Sequence, residues 1–151
     1  MMQRVDISAA DENDIGEIAA LETKYIPGGW SEKGFSEWLM GERRVFLKAL
    51  CDGKIAGFLN SSWLLDEGEL LNIAVEEKFR HYGIGRKLMQ ELFEKMHSNN
   101  VEKLFLEVRE KNDTAIRFYR GLGFAECGKR KDYYTDPSDN AIIMIKMIKG
   151  E

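Results

Sequence analysis

Residues 69–92 read ELLNIAVEEKFRHYGIGRKLMQEL, and they carry the strongest structural pattern in the chain. The segment Leu70–Val75 is almost continuously apolar, as is typical of a central strand that is covered on both faces. From Ile84 to Ser98, apolar residues recur at helical spacing while charged residues occupy the opposite side, which predicts an amphipathic helix. A short turn with two glycines joins these elements. The stretch therefore predicts a buried strand followed by a helix that packs on a sheet.

Outside this stretch, short strands alternate with helices. Further strands are predicted at Val5–Ile7, Val45–Cys51, Ile55–Leu65, Lys103–Val108, Phe124–Lys131 and Ala141–Ile148. Residues that can cap further helices are Asp11, Ser31 and Asp113, and the last of these helices is predicted to extend through Leu122. Asp52-Gly53 is typical of a hairpin turn because both positions tolerate a positive φ. The pattern predicts a mixed α/β sandwich that forms a single domain over residues 1–151.

The composition restricts the possible partners. The chain has 26 acidic and 22 basic residues, so it lacks the positive excess that nucleic-acid binders usually carry. No apolar run approaches the roughly 18 residues of a membrane span, and the N-terminus has no apolar signal region. Its two cysteines, Cys51 and Cys127, and its two histidines have no metal-ligand spacing. We therefore expect a cytoplasmic protein with no metal and with no nucleic-acid or membrane partner.

The turn before the long helix has the pattern of an anion site. Its sequence, Arg80-x-x-Gly83-x-Gly85, opens a helix whose first N–H groups lack intrahelical partners. The two glycines allow a pyrophosphate to approach the backbone, and Arg80 and Arg86 can add charge-assisted hydrogen bonds. A dinucleotide fingerprint requires another glycine where Leu88 stands, and a Walker loop requires Gly-Lys-Ser/Thr, which the chain lacks. A turn that binds nothing remains the alternative.

In its wider context, this segment resembles the acetyl-CoA motif of GNAT acetyltransferases, whose pattern is Gln/Arg-x-x-Gly-x-Gly/Ala. Downstream residues resemble the RimI group of bacterial N-terminal alanine acetyltransferases within that family. They are Leu106-Glu107-Val108-Arg109, Asn112, Ala115, Phe118-Tyr119 and Gly121-Leu122-Gly123-Phe124. The resemblance covers nearly the whole chain. It implies the GNAT fold, in which helices flank both faces of a central mixed, mostly antiparallel sheet, and an acetyl-CoA-dependent transfer.

The resemblance also implies the residues of the site. Those expected to bind acetyl-CoA are Ile73, Ala74, Val75, Arg80, His81, Tyr82, Gly83, Ile84, Gly85, Arg86 and Asn112. Glu107 is implied as the general base and Tyr119 as the general acid. These types suit the chemistry, because a carboxylate can take the proton of an amine and a tyrosine hydroxyl stays protonated at neutral pH.

Each of these roles has an alternative. Glu107 can be a solvated glutamate on a sheet face, and Glu69 on the neighbouring strand is a rival base. Tyr119 can be a packed aromatic next to Phe118. Neither cysteine is accompanied by a His or Asp pattern that would activate it as a nucleophile, so we expect direct transfer in a ternary complex.

The acceptor is less clearly defined by the sequence. The resemblance implies a protein N-terminus, namely the N-terminal alanine of the small-subunit ribosomal protein numbered eighteen. Trp30 in the predicted loop Tyr25–Trp30, together with Tyr133 and Tyr134, could wall a narrow slot for a peptide end, or these aromatics could belong to the core. The family commonly has proline directly before Trp-Ser, whereas here Gly28-Gly29 stand between Pro27 and Trp30. There are two competing hypotheses. The protein could acetylate a lysine side chain or a small amine, or it could be a non-catalytic module that binds acetyl-CoA.

Overall fold

The computed structural model describes residues 4–148; residues 1–3 and 149–151, which the predicted domain includes, lie outside the described residues. The strands are β1 (Val5–Ala9), β2 (Arg44–Cys51), β3 (Lys54–Leu64), β4 (Glu67–Val75), β5 (Lys103–Arg109), β6 (Ala125–Tyr134) and β7 (Asp139–Met147). The helices are α1 (Ile15–Tyr25), α2 (Glu32–Leu39), α3 (Ile84–Ser98) and α4 (Asp113–Gly121). Short 3-10 helices span Glu12–Asp14 and Glu77–Phe79.

Packing divides the chain into two compact units, and β4 contributes residues to both. The first unit comprises the chain up to Ser62 together with Leu71–Lys95, and its strand order is β1-β2-β3-β4. The second comprises Trp63–Leu70 and the chain from Met96 onward, with the order β4-β5-β7-β6. Only the described β4–β5 pair is parallel among the pairs whose registers are defined here. The predicted class, a mixed and mostly antiparallel sheet flanked by helices, is confirmed; the single domain stays a prediction.

An aromatic cluster forms much of the core of the first unit. Phe35 of α2 is fully buried, and its ring lies 5.7 Å from Phe46 and 5.6 Å from Phe58. Ile18 of α1 is fully buried in the same core. Burying an aliphatic or aromatic side chain of this size contributes roughly 1.5–3 kcal/mol. The cluster therefore anchors α1 and α2 and fixes the loop between them.

In the second unit, alternation along β5 sets the position of Glu107. Leu104, Leu106 and Val108 are buried, whereas the residues between them are only half-buried. Because successive side chains of a strand point to opposite faces, Glu107 lies on the face opposite these three core residues. Its register partner on β7 is Ile143.

Several predicted elements agree with the structure in detail. Helix α3 has the predicted bounds, and its residues Ile84, Leu88, Met89, Leu92 and Met96 are buried. The hairpin turn has positive φ at both Asp52 and Gly53. Ser31 caps α2 as predicted, since its hydroxyl oxygen accepts the N–H of Gly34 at 3.1 Å. Local periodicity and turn chemistry were therefore reliable here.

The predicted boundaries of α1 and α4 were wrong. Tyr25 ends α1 rather than starting the loop, because Ile26 precedes a proline and adopts an extended conformation. Asn112, not Asp113, caps α4, which ends at Gly121. Asp11 caps a 3-10 turn before α1 rather than the α-helix itself.

Strands β4 and β6 each extend three residues beyond a predicted limit. β4 begins at Glu67, three residues before the apolar run, and β6 continues to Tyr134. β6 is the last strand in the order of its unit and is mostly exposed, so it lacks the apolar alternation from which a strand is predicted.

Candidate functional site

The predicted anion site lies in the first unit, where the chain passes from β4 to α3. His81 and Gly83 have φ values of 74° and 75°, in the left-handed region. The N–H of Lys87 donates to the carbonyl of Gly83 at 3.0 Å, which is the first bond of the helix. The preceding N–H groups of Ile84, Gly85 and Arg86 have no intrahelical acceptor by helix geometry. The turn therefore presents the N–H groups that an anion at a helix N-terminus requires.

The side chains around this turn divide into core and surface groups. Ile84 is buried, so its side chain belongs to the core. His81, Tyr82 and Arg86 are exposed. The described pairing of β4 with β5 covers only Glu67–Glu69, so the half of β4 that contains Ile73, Ala74 and Val75 lies past this ladder. These placements fit backbone recognition along the strand and the turn.

Arg80 braces the turn. Its Nε donates to the carbonyl of Val75 at 3.1 Å, and its guanidinium lies 4.6 Å from the centre of the Tyr25 ring. The hydroxyl of Tyr25 in turn donates to the Glu76 carboxylate, which also pairs with Lys24 at 3.0 Å. The hydrogen bond from Tyr25 and, to a smaller extent, the one from Lys24 lower the pKa of Glu76 to about 2. No local pattern predicts these contacts, because the residues that make them are spread over α1 and the turn.

In the second unit, the Glu107 carboxylate is held by two partners from β6. Its Oε2 accepts from the Nε of Arg130 at 2.6 Å, and the Glu107 side chain is 22% exposed. The negative charge of Glu107 raises the pKa of the Tyr133 hydroxyl. The hydrogen bond from Tyr133 to this carboxylate raises it further. Glu107 is thus a partner in a polar cluster rather than a glutamate that points freely into solvent.

Glu69 lies close enough to interact with this cluster. Burial of its carboxyl raises the pKa of Glu69, the charge of Glu107 raises it further, and Arg130 opposes the shift. The residue as a whole is nevertheless exposed at the surface. Two carboxylates of the second unit therefore compete for the role of base, and the structure keeps both candidates.

Tyr119 is buried in α4, with 7% of its surface exposed. Its ring packs 5.3 Å from Phe118 and 5.7 Å from Phe124. Burial, with a smaller contribution from Tyr134, raises the pKa of its hydroxyl above the ordinary value. The hydroxyl therefore stays protonated and can act as a donor, although most of the ring is packed as a core aromatic.

Tyr134 interacts electrostatically with both Tyr119 and Glu107. Its ring lies 5.1 Å from that of Tyr133, and the guanidinium of Arg109 lies 4.3 Å from the ring centre. Burial raises the pKa of Tyr134, and the charge of Glu107 adds to this shift. The structure thus brings together four predicted residues, which we call the tyrosine–carboxylate cluster: Glu107, Tyr119, Tyr133 and Tyr134. Arg109 and Arg130, which support it, were not predicted.

Two further predicted residues have structural roles. Asn112 caps α4, and its Oδ1 accepts the N–H of Ala115 at 3.1 Å. Its contact with acetyl-CoA stays a prediction. Trp30 in the first unit packs 5.3 Å from Phe35 and 5.0 Å from Trp38, and it also lines a surface depression of about 510 Å³. Both residues are held firmly, as residues of a binding site must be.

Residues 4–148 contain neither a group of metal ligands nor a membrane-spanning helix. No group of three or more His, Cys, Asp or Glu side chains in this range could hold a metal ion. None of the helices in the same range is long and apolar enough to cross a membrane.

Comparison with known proteins identifies the class. A model of the acetyltransferase (GNAT) family matches residues 15–124, and the chain belongs to this family. Its acyl donor is acetyl-CoA.

Individual relatives match almost the full chain. The ribosomal protein bS18-alanine N-acetyltransferase of Escherichia coli K12 is 37% identical over 91% of this chain and 94% of its own length. The N-alpha-acetyltransferase of Sulfurisphaera tokodaii is 31% identical, with 83% of each chain covered. A crystal structure of the ribosomal-protein-S18-alanine N-acetyltransferase from Escherichia coli has a TM-score of 0.89 at 35% identity, covering 98% of this chain and 96% of that one.

Replacing Gly83 with alanine tests the role of the turn. Gly83 is left-handed, and a Cβ there meets nothing within 4 Å, so the substitution costs backbone strain rather than a clash. If the turn relaxes to relieve a strain of about 1 kcal/mol, its N–H groups move and the KM for acetyl-CoA rises about fivefold. The matched control is Gly53→Ala, which has the same open surroundings and a φ of 84° in the β2–β3 hairpin. An equal effect of both variants on KM contradicts the assignment.

Proposed function

We propose that this protein acetylates the α-amine of the N-terminal alanine of ribosomal protein bS18. The observation that carries the proposal is the match over almost the full chain to the Escherichia coli enzyme that is named for this reaction. Because ribosomal proteins are made in the cytoplasm, we place the protein there. We also propose that both compact units form one GNAT domain, since the family match includes residues of each.

The first unit supplies the groups that hold the donor in this proposal. Acetyl-CoA carries an acetyl group on a thioester, and transfer to an amine breaks the C–S bond. The N–H groups at the start of α3 fit a pyrophosphate, and Arg86 is exposed beside them. Arg80 acts indirectly, because its contacts with Val75 and Tyr25 keep the turn in place.

The second unit supplies the proton transfers. The Glu107 carboxylate takes a proton from the amine as its nitrogen forms the new C–N bond. Tyr119 donates a proton to the leaving sulfur, and both side chains afterwards exchange with solvent, so that the amine loses one proton and the thiol gains one. Tyr133 hydrogen-bonds to Glu107, which suits it to hold the amine close to the base. Trp30 and Tyr134 are each also proposed as acceptor contacts, and Asn112 as a contact for the donor.

Initial-rate kinetics test direct transfer. With acetyl-CoA and an alanine-initiated bS18 peptide as varied substrates, we expect intersecting double-reciprocal plots, as for a ternary complex. Parallel plots, or an acetylated enzyme trapped without acceptor, contradict direct transfer.

A panel of peptides that differ only in their first residue tests the acceptor. Alanine is expected to exceed leucine in kcat/KM by roughly tenfold or more, because a slot that fits a methyl group excludes a larger side chain. Equal rates with both, or turnover confined to polyamines, argue against the proposed acceptor.

A further inference from the structure

A carboxyl group that the catalytic scheme does not use is fully buried in the first unit. Glu22 of α1 has an exposed surface of 0%. Its Oε2 accepts the backbone N–H of Trp30 at 3.1 Å and the side-chain amide of Asn72 at 2.6 Å. Its Oε1 has no hydrogen-bond partner among residues 4–148. Burial raises the pKa of Glu22, and the bonds from Trp30 and Asn72 oppose the shift.

Asn72 extends this contact to the sheet. It lies on β4 directly before Ile73, and its Oδ1 accepts from the side-chain amide of Asn60 on β3 at 3.1 Å. Asn60 is fully buried, and its Oδ1 lacks a partner within the described residues. Buried polar groups that are only partly satisfied reduce stability. A hydrophobic set of similar volume would serve stability better, so this polar chain points to a role other than stability.

The loop after α1 is folded tightly onto Glu22. A Cβ on Gly29 would lie 2.5 Å from the Cγ of Glu22 and 2.7 Å from its Oε2. Ile26 and Trp30 pack against the core, but Pro27, Gly28 and Gly29 between them are exposed, so this middle part of the loop has little apolar contact of its own. The Glu22 carboxylate therefore supplies a polar anchor for residues 26–31, which we call the acceptor loop.

We propose that Glu22 is a positioning residue for the acceptor, which holds the acceptor loop through the Trp30 N–H and fixes this loop to β4 through Asn72. This inference rests on the proposed function, in which Trp30 contacts the peptide N-terminus. It assigns Glu22 no contact with the reacting atoms. Glu22 determines the position of Trp30. It therefore affects the KM for the peptide rather than the chemical step.

Two substitutions at Glu22 separate positioning from general structural support. Glu22→Ala removes both anchoring bonds, and we expect the KM for an alanine-initiated peptide to rise roughly tenfold, with kcat and the KM for acetyl-CoA nearly unchanged. Glu22→Gln is the rescue variant, because an amide oxygen at the place of Oε2 accepts the same two bonds. It should keep the KM for the peptide within about twofold. A fall in kcat alone, with an unchanged peptide KM in Glu22→Ala, overturns the inference.

A second pair of variants covers the case in which Glu22→Ala does not fold. Gly29→Ala forces the Glu22 side chain aside and is expected to raise the peptide KM in the same way. Gly16→Ala is the matched control. Gly16 lies in α1, the helix that carries Glu22, and a Cβ there meets nothing within 4 Å. An unchanged peptide KM in Gly29→Ala contradicts the inference.

Hydrogen exchange at the Trp30 amide tests its hydrogen bond to Glu22 without any substrate. Exchange should be faster in Gly29→Ala than in the unsubstituted protein and in Gly16→Ala. If it is not, the anchor itself is wrong. If exchange responds as expected but the unsubstituted protein acetylates no N-terminal peptide, the proposed function fails instead.

Discussion

The Tyr119→Phe variant is expected to lose about 100-fold or more in kcat while its KM values stay close to those of the unsubstituted protein. Phenylalanine keeps the ring that packs against Phe118 and Phe124, so the fold should be retained. What is lost is the hydroxyl, which burial keeps protonated and which we propose as the donor to the leaving sulfur. Steady-state kinetics with acetyl-CoA and an alanine-initiated peptide provide the measurement.

Thermal unfolding and acetyl-CoA binding serve as the controls for this variant. Both should match the unsubstituted protein, because the substitution removes one oxygen and leaves the packing of α4 in place. A kcat equal to that of the unsubstituted protein, with a stable fold, shows that Tyr119 is only a packed aromatic.

The second large effect is expected for Glu107→Gln. Removing a general base typically costs 100-fold to 10,000-fold, about the range we expect for kcat, and the acid limb of the pH–rate profile should disappear. Loss of the ion pair with Arg130 does not explain such an effect, because the Arg130 side chain is 57% exposed and pairs at the surface are worth about 0–1 kcal/mol. The matched variant Glu69→Gln removes the neighbouring charge and should retain the acid limb.

The sign of the pH shift distinguishes the two carboxylates. The negative charge of Glu107 contributes to the raised pKa of Glu69, so replacing Glu107 by glutamine lowers the pKa of Glu69. If Glu69 is the base, the acid limb in Glu107→Gln moves to lower pH instead of disappearing. An unchanged profile in Glu107→Gln contradicts the assignment of Glu107.

The parts of the fold that were predictable depend on local patterns. Helix α3 shows its period within 15 residues, and the Asp52-Gly53 turn carries its own conformational preference. By contrast, the last three residues of β6, from Asp132 to Tyr134, were not predicted, because they lie in a mostly exposed strand at the end of the sheet order and show no apolar alternation. Short-range signals thus sufficed wherever the element itself determines its structure.

The candidate site could be predicted only in part for the same reason. The motif from Arg80 to Gly85 and the resemblance around Glu107 and Tyr119 pointed to the donor site and the acid–base pair. The bond between Glu107 and Arg130 joins residues 23 positions apart, and that between Glu22 and Asn72 joins residues 50 apart. Such pairs follow from strand register and helix packing, which one sequence does not reveal.

One peptide with two competing amines distinguishes acetylation of a protein N-terminus from acetylation of a lysine side chain. The peptide begins with alanine and carries one internal lysine, and fragment mass spectrometry after incubation with acetyl-CoA locates the acetyl group. We expect acetylation of the α-amine of alanine, with the lysine side chain unmodified. Acetylation of the lysine with a free α-amine, or no acetylation at all, would contradict the proposed function.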